Sequence, residues 1–159
     1  MNKRLVLIAV LIALSLSCSN KGVLSIEAGV VYKMGGMQPV ARVTFHLLDD
    51  DLENILQKAG YTGDKGSDVV TRYAIASQFP DQNQPFYGQA KIVIQSHIVQ
   101  SVTTDFSGKA QFEGVPSGRY YIMGVTETRG GFAFWNLRVD VKPGKNSVVL
   151  DQNNAVMAL

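Results

Sequence analysis

The chain has 159 residues, 46% hydrophobic and 18% charged, enough for one domain with its own core and too apolar for a disordered chain. Its formal net charge of +2 comes from Lys3 and Arg4 in a leader; without residues 1–17, 13 basic residues face 13 acidic ones. No basic run follows residue 17, so a nucleic-acid binder, which needs clustered cations against phosphate, is not expected.

Residues 1–17 have signal-peptide anatomy. Met1-Asn2-Lys3-Arg4 is positive, residues 5–14 are apolar throughout, and small residues lead to Cys18. The apolar run is about half the ~20 residues that a spanning helix needs. Leu14-Ser15-Leu16-Ser17-Cys18 resembles a bacterial lipobox, with Ser15 where Leu is usual. That resemblance implies an acylated Cys18 as the first mature residue and a membrane anchor. It also gives the lone cysteine a role, since no second one exists for a disulfide. Ser19 at the second mature position implies sorting to the outer membrane. Residues 18–22 read as a short tether, and residues 23–159 as one domain.

Residues 23–32 alternate, with Leu24, Ile26, Ala28, Val30 and Tyr32 on one face of a strand. A glycine turn at Gly35-Gly36 leads to a second strand over 40–48, with Ala41, Val43, Phe45 and Leu47 inward and Arg42, Thr44 and His46 outward. The period then changes. Leu52, Ile55, Leu56 and Ala59 form a helical stripe, Asp50 with Glu53 has capping-box spacing, and Gly60 suits the stop. Ser67 is the expected cap of a second helix over 68–79. Residues 89–98 fit helix and strand nearly equally. A helix to about Ser96 and a strand over 97–104 is the preferred division.

From Thr104 to Leu150 four turns organise the chain: 104–108, 115–118, 129–131 and 142–145. Between them lie strands over 109–114, 119–126, 132–141 and 146–150. In the third of these, Phe132 and Phe134 share one side while Trp135, Leu137, Val139 and Val141 share the other, the slip a β-bulge would produce. Seven strands predict a mainly β, seven-stranded Greek-key sandwich, with two to three helices inserted at about residues 50–96 between strands two and three.

The series Thr104-Asp105, Gly108, Ala110, Phe112, Val115-Pro116, Gly118, Tyr120 and Ile122, continued by Val139, Val141, Gly144, Val148 and Leu150, resembles the carboxypeptidase regulatory-like family, also called transthyretin-like or prealbumin-like. The resemblance covers residues 104–150 well, residues 23–48 only as generic strands, and the insert not at all. It implies the prealbumin-like sandwich and an accessory, adhesive or scaffold role. The enzymatic relative hydroxyisourate hydrolase uses a Tyr-Arg-Gly-Ser tail; this chain ends Val156-Met157-Ala158-Leu159, so that activity does not carry over.

No catalytic residue, cofactor or metal site is assigned. Only His46 and His97 exist as imidazole bases, and no phosphate-cradling glycine loop is present. Asp49-Asp50-Asp51 suits a helix N-terminus better than Ca²⁺. The strand over 119–126 is apolar on both faces, because Tyr121, Met123 and Val125 alternate against Tyr120 and Ile122. The inserted helices are the expected cover for the second face. The alternative is a partner or glycan surface made by Tyr121, Phe132, Phe134 and Trp135. The expected function is therefore a non-catalytic binding, scaffold or accessory module on an envelope lipoprotein, with an envelope protein or a glycan as partner. One alternative is a hydrolase-type enzyme with a shallow site near His97 and Asp105; another is a carbohydrate-binding module using exposed aromatics.

Overall fold

The structure is a computed structural model that describes residues 20–31, 36–64, 66–128 and 131–158. The leader, Cys18, and most of the glycine turns at 33–36 and 129–131 lie outside the described residues. The elements in order are β1 (Lys21–Val31), β2 (Met37–Pro39), β3 (Thr44–Leu48), α1 (Leu52–Lys58), α2 (Val69–Gln78), a 3-10 turn (Pro80–Asn83), α3 (Phe86–Gln95), β4 (Ile98–Thr103), β5 (Lys109–Pro116), β6 (Gly118–Thr128), β7 (Gly131–Val141), β8 (Gly144–Leu150) and β9 (Met157–Ala158).

The fold is mainly β and its strands form two sheets. In the first, β1 pairs antiparallel with β2 and β5, and in parallel with β8. The Ala28 N–H donates to Gly108 O and its C=O accepts from the Val40 N–H, both at 2.8 Å. One residue's N–H and C=O point the same way in a strand, so β5 and β2 lie end to end along one edge of β1. The second sheet has the order β4-β3-β6-β7-β9. The predicted strand over 40–48 is a strand only over Thr44–Leu48, and Ala41, expected to point inward, is exposed. Residues 37–39 stay on β1, and the chain then crosses to the second sheet as β3. Arg42, at φ 59°, makes the corner in a region few side chains adopt. The buried Thr104 hydroxyl clamps it, donating to Val40 O at 2.6 Å while accepting the Val43 N–H at 3.0 Å.

Three of the expected strand connections also change sheets, the first being the turn at 104–108, from β4 in the second sheet to β5 in the first. The turn at 115–118 leads from β5 in the first sheet to β6 in the second, and the turn at 142–145 leads from β7 back to β8. Of the four turns, only the one between β6 and β7 closes a hairpin.

The expected bulge in residues 132–141 is absent. The β6–β7 register is continuous from Gly118↔Val141 to Thr128↔Gly131. The pattern loses its alternation for another reason: the strand is buried on both faces. Ala133 and Trp135 enter the core between the sheets, with Leu24, Ile26, Phe45, Phe112 and Ile122. Phe132 and Phe134 enter a second core, with Leu52, Ile55, Leu56, Tyr73 and Ile94 from the helices. The apolar second face of β6 ends there too: Met123 is buried, and Tyr121 and Val125 pack against it. The insert is the cover that the sequence called for.

Among the described residues, two of the three α-helices start at a side-chain cap. Asp51, one residue after the expected Asp50, caps α1 by accepting the Glu53 N–H at 2.9 Å. Asp68, not Ser67, caps α2 through Thr71 N at 2.7 Å. Gly60 ends the first helical turnaround at φ 86°, where a Cβ would be strained. The ambiguous stretch is helical from Phe86 to Gln95, and β4 begins at Ile98.

Candidate functional site

The aromatic residues singled out as a partner surface do not form one. Phe132, Phe134 and Trp135 are 2%, 1% and 0% exposed, and Tyr121 is half-buried. Trp135 packs at 5.7 Å from the Phe45 ring and donates its Nε1–H to Asp151 O at 2.9 Å, which satisfies the indole inside the core. Phe134 meets Tyr73 of α2 edge-on at 6.1 Å. Burial raises the Tyr73 phenol well above its ordinary range, so it stays protonated.

His97 and Asp105 are not brought together. They stand at opposite ends of β4. The His97 Nδ1 lies 2.7 Å from Asp49 Oδ1, and Asp105 Oδ1 accepts the N–H groups of Ser107 and Lys109 at 2.8 and 2.9 Å. Asp105 is thus a turn former, as a type I turn prefers. His46 pairs across strands with Ser101, Nδ1 to Oγ at 2.7 Å. Burial, followed by the Lys91 ammonium, lowers its pKa, so neutral imidazole is favoured.

The Asp49-Asp50-Asp51 run is divided among three tasks. Asp49 faces His97, Asp51 caps α1, and Asp50 takes Lys58 Nζ at 2.6 Å. The hydrogen bond from Lys58, then that from Asn54, pulls the Asp50 carboxyl down to about 2. No group of three or more potential metal ligands occurs among the described residues.

What remains open is the outer face of the first sheet. Ser25 and Glu27 of β1 point away from the core, because Leu24, Ile26 and Ala28 alternate into it. The register sets Gln111 and Ser147 beside Ser25, and Lys109 and Val149 beside Glu27. These side chains and Asp105 line a trough of about 510 Å³. Gln111 Nε2 donates to Ser25 Oγ at 3.1 Å, and Lys109 faces Glu27 at 3.7 Å. Beside it, Phe106 is 73% exposed, with the Arg42 guanidinium 4.5 Å from its ring centre. Sequence reading missed this face because its residues come from three separate strands. The available signal was the polar phase of residues 23–32 and 109–114.

No protein-family model matches the chain, and no curated protein does either. Solved structures align with it at low similarity. A candidate carbohydrate-binding protein from Pseudomonas aeruginosa aligns with a TM-score of 0.47 and 16% identity, over 83% of this chain and 88% of that one. A minor pilin of Streptococcus agalactiae aligns at 0.39 and 16%, over 82% of this chain and 43% of its own. A shaft pilin of Lactobacillus rhamnosus GG aligns at 0.40 and 11%, over 82% of this chain and 49% of its own, so the chain spans less than half of either pilin.

Proposed function

We propose that this protein is a lipid-anchored, non-catalytic binding or scaffold module of the bacterial envelope, built on a carboxypeptidase regulatory-like sandwich and held at the outer membrane through Cys18. One observation carries the binding reading. The inserted helices close the outer face of the second sheet, while the outer face of the first sheet stays uncovered and polar. A sheet flanked by covered hydrophobic surface on one side and hydrogen-bonding side chains on the other is a rigid platform. Ser25, Gln111 and Ser147 offer hydroxyl and amide groups, and Glu27 and Lys109 offer both signs of charge. Such a surface suits a protein segment or a glycan. The candidate aromatics being buried, a glycan would be held chiefly by hydrogen bonds on this face, with Phe106 the nearest open ring.

Photo-crosslinking in native envelopes tests the reading. A crosslinker in place of Gln111 or Ser147 is expected to trap a partner, and one in place of Ile92 on the solvent side of α3 is not. Adducts from Ile92 alone would overturn the assignment of the binding face. Mass spectrometry of the mature N-terminal peptide reads the anchor separately, as diacylated or triacylated Cys18.

A further inference from the structure

We infer that the end of the sandwich from which the chain leaves toward Cys18 is an electrostatic docking surface for anionic phospholipid headgroups, with Lys21, Lys142 and Lys145 as its contacts. The inference rests on the anchor reading above and adds to it an orientation and a lipid preference.

The geometry begins at Asn20. Its carbonyl accepts the Ser117 N–H at 2.8 Å and the Ser117 hydroxyl at 3.1 Å, and β1 starts at the next residue. The domain therefore begins earlier than the expected residue 23, and only Ser19 separates the pinned Asn20 from Cys18. Two residues of chain reach about 7 Å at full extension. An acylated Cys18 holds this end of the sandwich against the headgroups.

The register shows what that end carries. Lys21 pairs with Pro116, Gly22 with Gly144 and Val23 with Lys145, so the turns at 115–118 and 142–145 flank the chain's exit. Asn146 fixes the second turn: its Oδ1 accepts the Lys142 N–H at 3.0 Å, and its Nδ2 donates to Lys142 O at 2.7 Å. Lys21, Lys142 and Lys145 are all exposed. Among the described residues, none of the three has a carboxylate within salt-bridge distance. Next to them Arg119 and Arg138 share one carboxylate, Asp140, at 3.7 and 3.2 Å. Glu113 is the other nearby acid of the β5–β6 corner. The acids at 49–51, further along the second sheet, are engaged by His97, Lys58 and the α1 cap. The other end of β1 is balanced, with Lys109 against Glu27. A mature chain without net charge thus concentrates unpaired cations where its tether delivers them to the bilayer.

The test uses the acylated protein and follows its transfer from donor vesicles to neutral acceptors. Donors are phosphatidylcholine alone, or phosphatidylcholine with phosphatidylglycerol. Each lysine near an anionic surface is worth roughly fivefold, so the three together slow departure on the order of a hundredfold from the phosphatidylglycerol vesicles. High salt removes the difference, as the Debye length shrinks to about 3 Å at 1 M. Lys21→Gln, Lys142→Gln and Lys145→Gln combined abolish the preference. Lys58→Gln, Arg72→Gln and Lys91→Gln combined, which remove the same charge elsewhere, leave it intact. Equal transfer from both donors, or an equal loss in the control triple variant, overturns the inference. An N-terminal peptide without lipid overturns the anchor reading instead. Sedimentation of that unacylated chain with phosphatidylglycerol vesicles then decides the lysine surface: lysine-dependent binding sustains it and none refutes it.

Discussion

The two sheets share one core but differ in what lies behind them. Behind the second sheet three helices bury Leu52, Ile55, Leu56, Tyr73 and Ile94 against Met123, Phe132 and Phe134. Behind the first, no described element packs, and the side chains there include Ser25, Glu27, Lys109, Gln111, Ser147 and Val149. The contrast separates stability from recognition. Each fully buried aliphatic or aromatic side chain contributes about 1.5–3 kcal/mol relative to exposure, so the core between the sheets and the core under the helices hold the molecule together. The first sheet's outer face has little packing to lose and is free to change with its partner.

The contrast breaks most visibly through large-to-small substitution. Phe134→Ala removes the ring that joins β7 to α2 and is expected to cost about 3–5 kcal/mol. Leu56→Ala, in the helical half of the same core, is expected to cost about 2–5 kcal/mol. Gln111→Ala and Ser147→Ala on the open face should stay within about 0.5 kcal/mol. Urea midpoints at unchanged m-value measure all four. A loss at Gln111 as large as that at Leu56 would remove the distinction between the two faces.

Gly124 sharpens it at the boundary between the two cores. A Cβ added there would stand 2.3 Å from the Phe45 ring across the β3–β6 pair. Neither neighbour can retreat, because Phe45 is fully buried against Trp135. Gly124→Ala is therefore expected to destabilise by about 1–3 kcal/mol. It should also disturb the near-ultraviolet signal of Trp135, while acrylamide quenching of the wild-type indole stays low because that side chain is 0% exposed. Asp68→Ala comes next, at about 1 kcal/mol, because it removes the cap that holds Thr71 N–H and Oγ1.

The same contrast explains what could be read from residues alone. Alternation identified β1, where one face is wet. The stripe at 52, 55 and 56, set against a strand apolar on both sides, identified the helices as its cover, while Ala59, expected in the same stripe, is the exposed C-cap. Alternation failed at β7 because a strand buried on both faces has none to read, and Phe132 to Trp135 then mimic a bulge. Turn chemistry located the corners at 115–118 and 142–145 but not their direction. A Pro-x-Gly or Pro-Gly turn serves a hairpin or a change of sheet equally well. The three-residue β2 and two-residue β9 are held by pairing partners distant in sequence, so no local pattern announces them. The trough was illegible for the same reason: Ser25, Gln111 and Ser147 meet only through the β1–β5 and β1–β8 registers.

The smallest expected effect lies under the helical cover and is read by acid. His46 sits on the helix-side face of β3, bonded to Ser101, and burial together with the Lys91 charge lowers its pKa. A folded value below the unfolded one, about 6.5, means that the unfolded chain binds more protons, so stability rises with pH there. The His46 contribution is complete above pH 6.5 and is lost as pH falls through the folded value. His46→Gln should flatten the stability profile in that window, and Lys91→Gln should reduce its slope by lifting the repulsion. Asp50 acts later. Its carboxyl, held near 2 first by Lys58 and then by Asn54, loses its contribution only as pH falls from 3.8 toward 2, so Asp50→Asn alters the profile only there. Chemical denaturation at stepwise pH separates these windows, and a His46→Gln profile that parallels the wild type from pH 7 to 5 would show that the helices do not shield this histidine enough to matter.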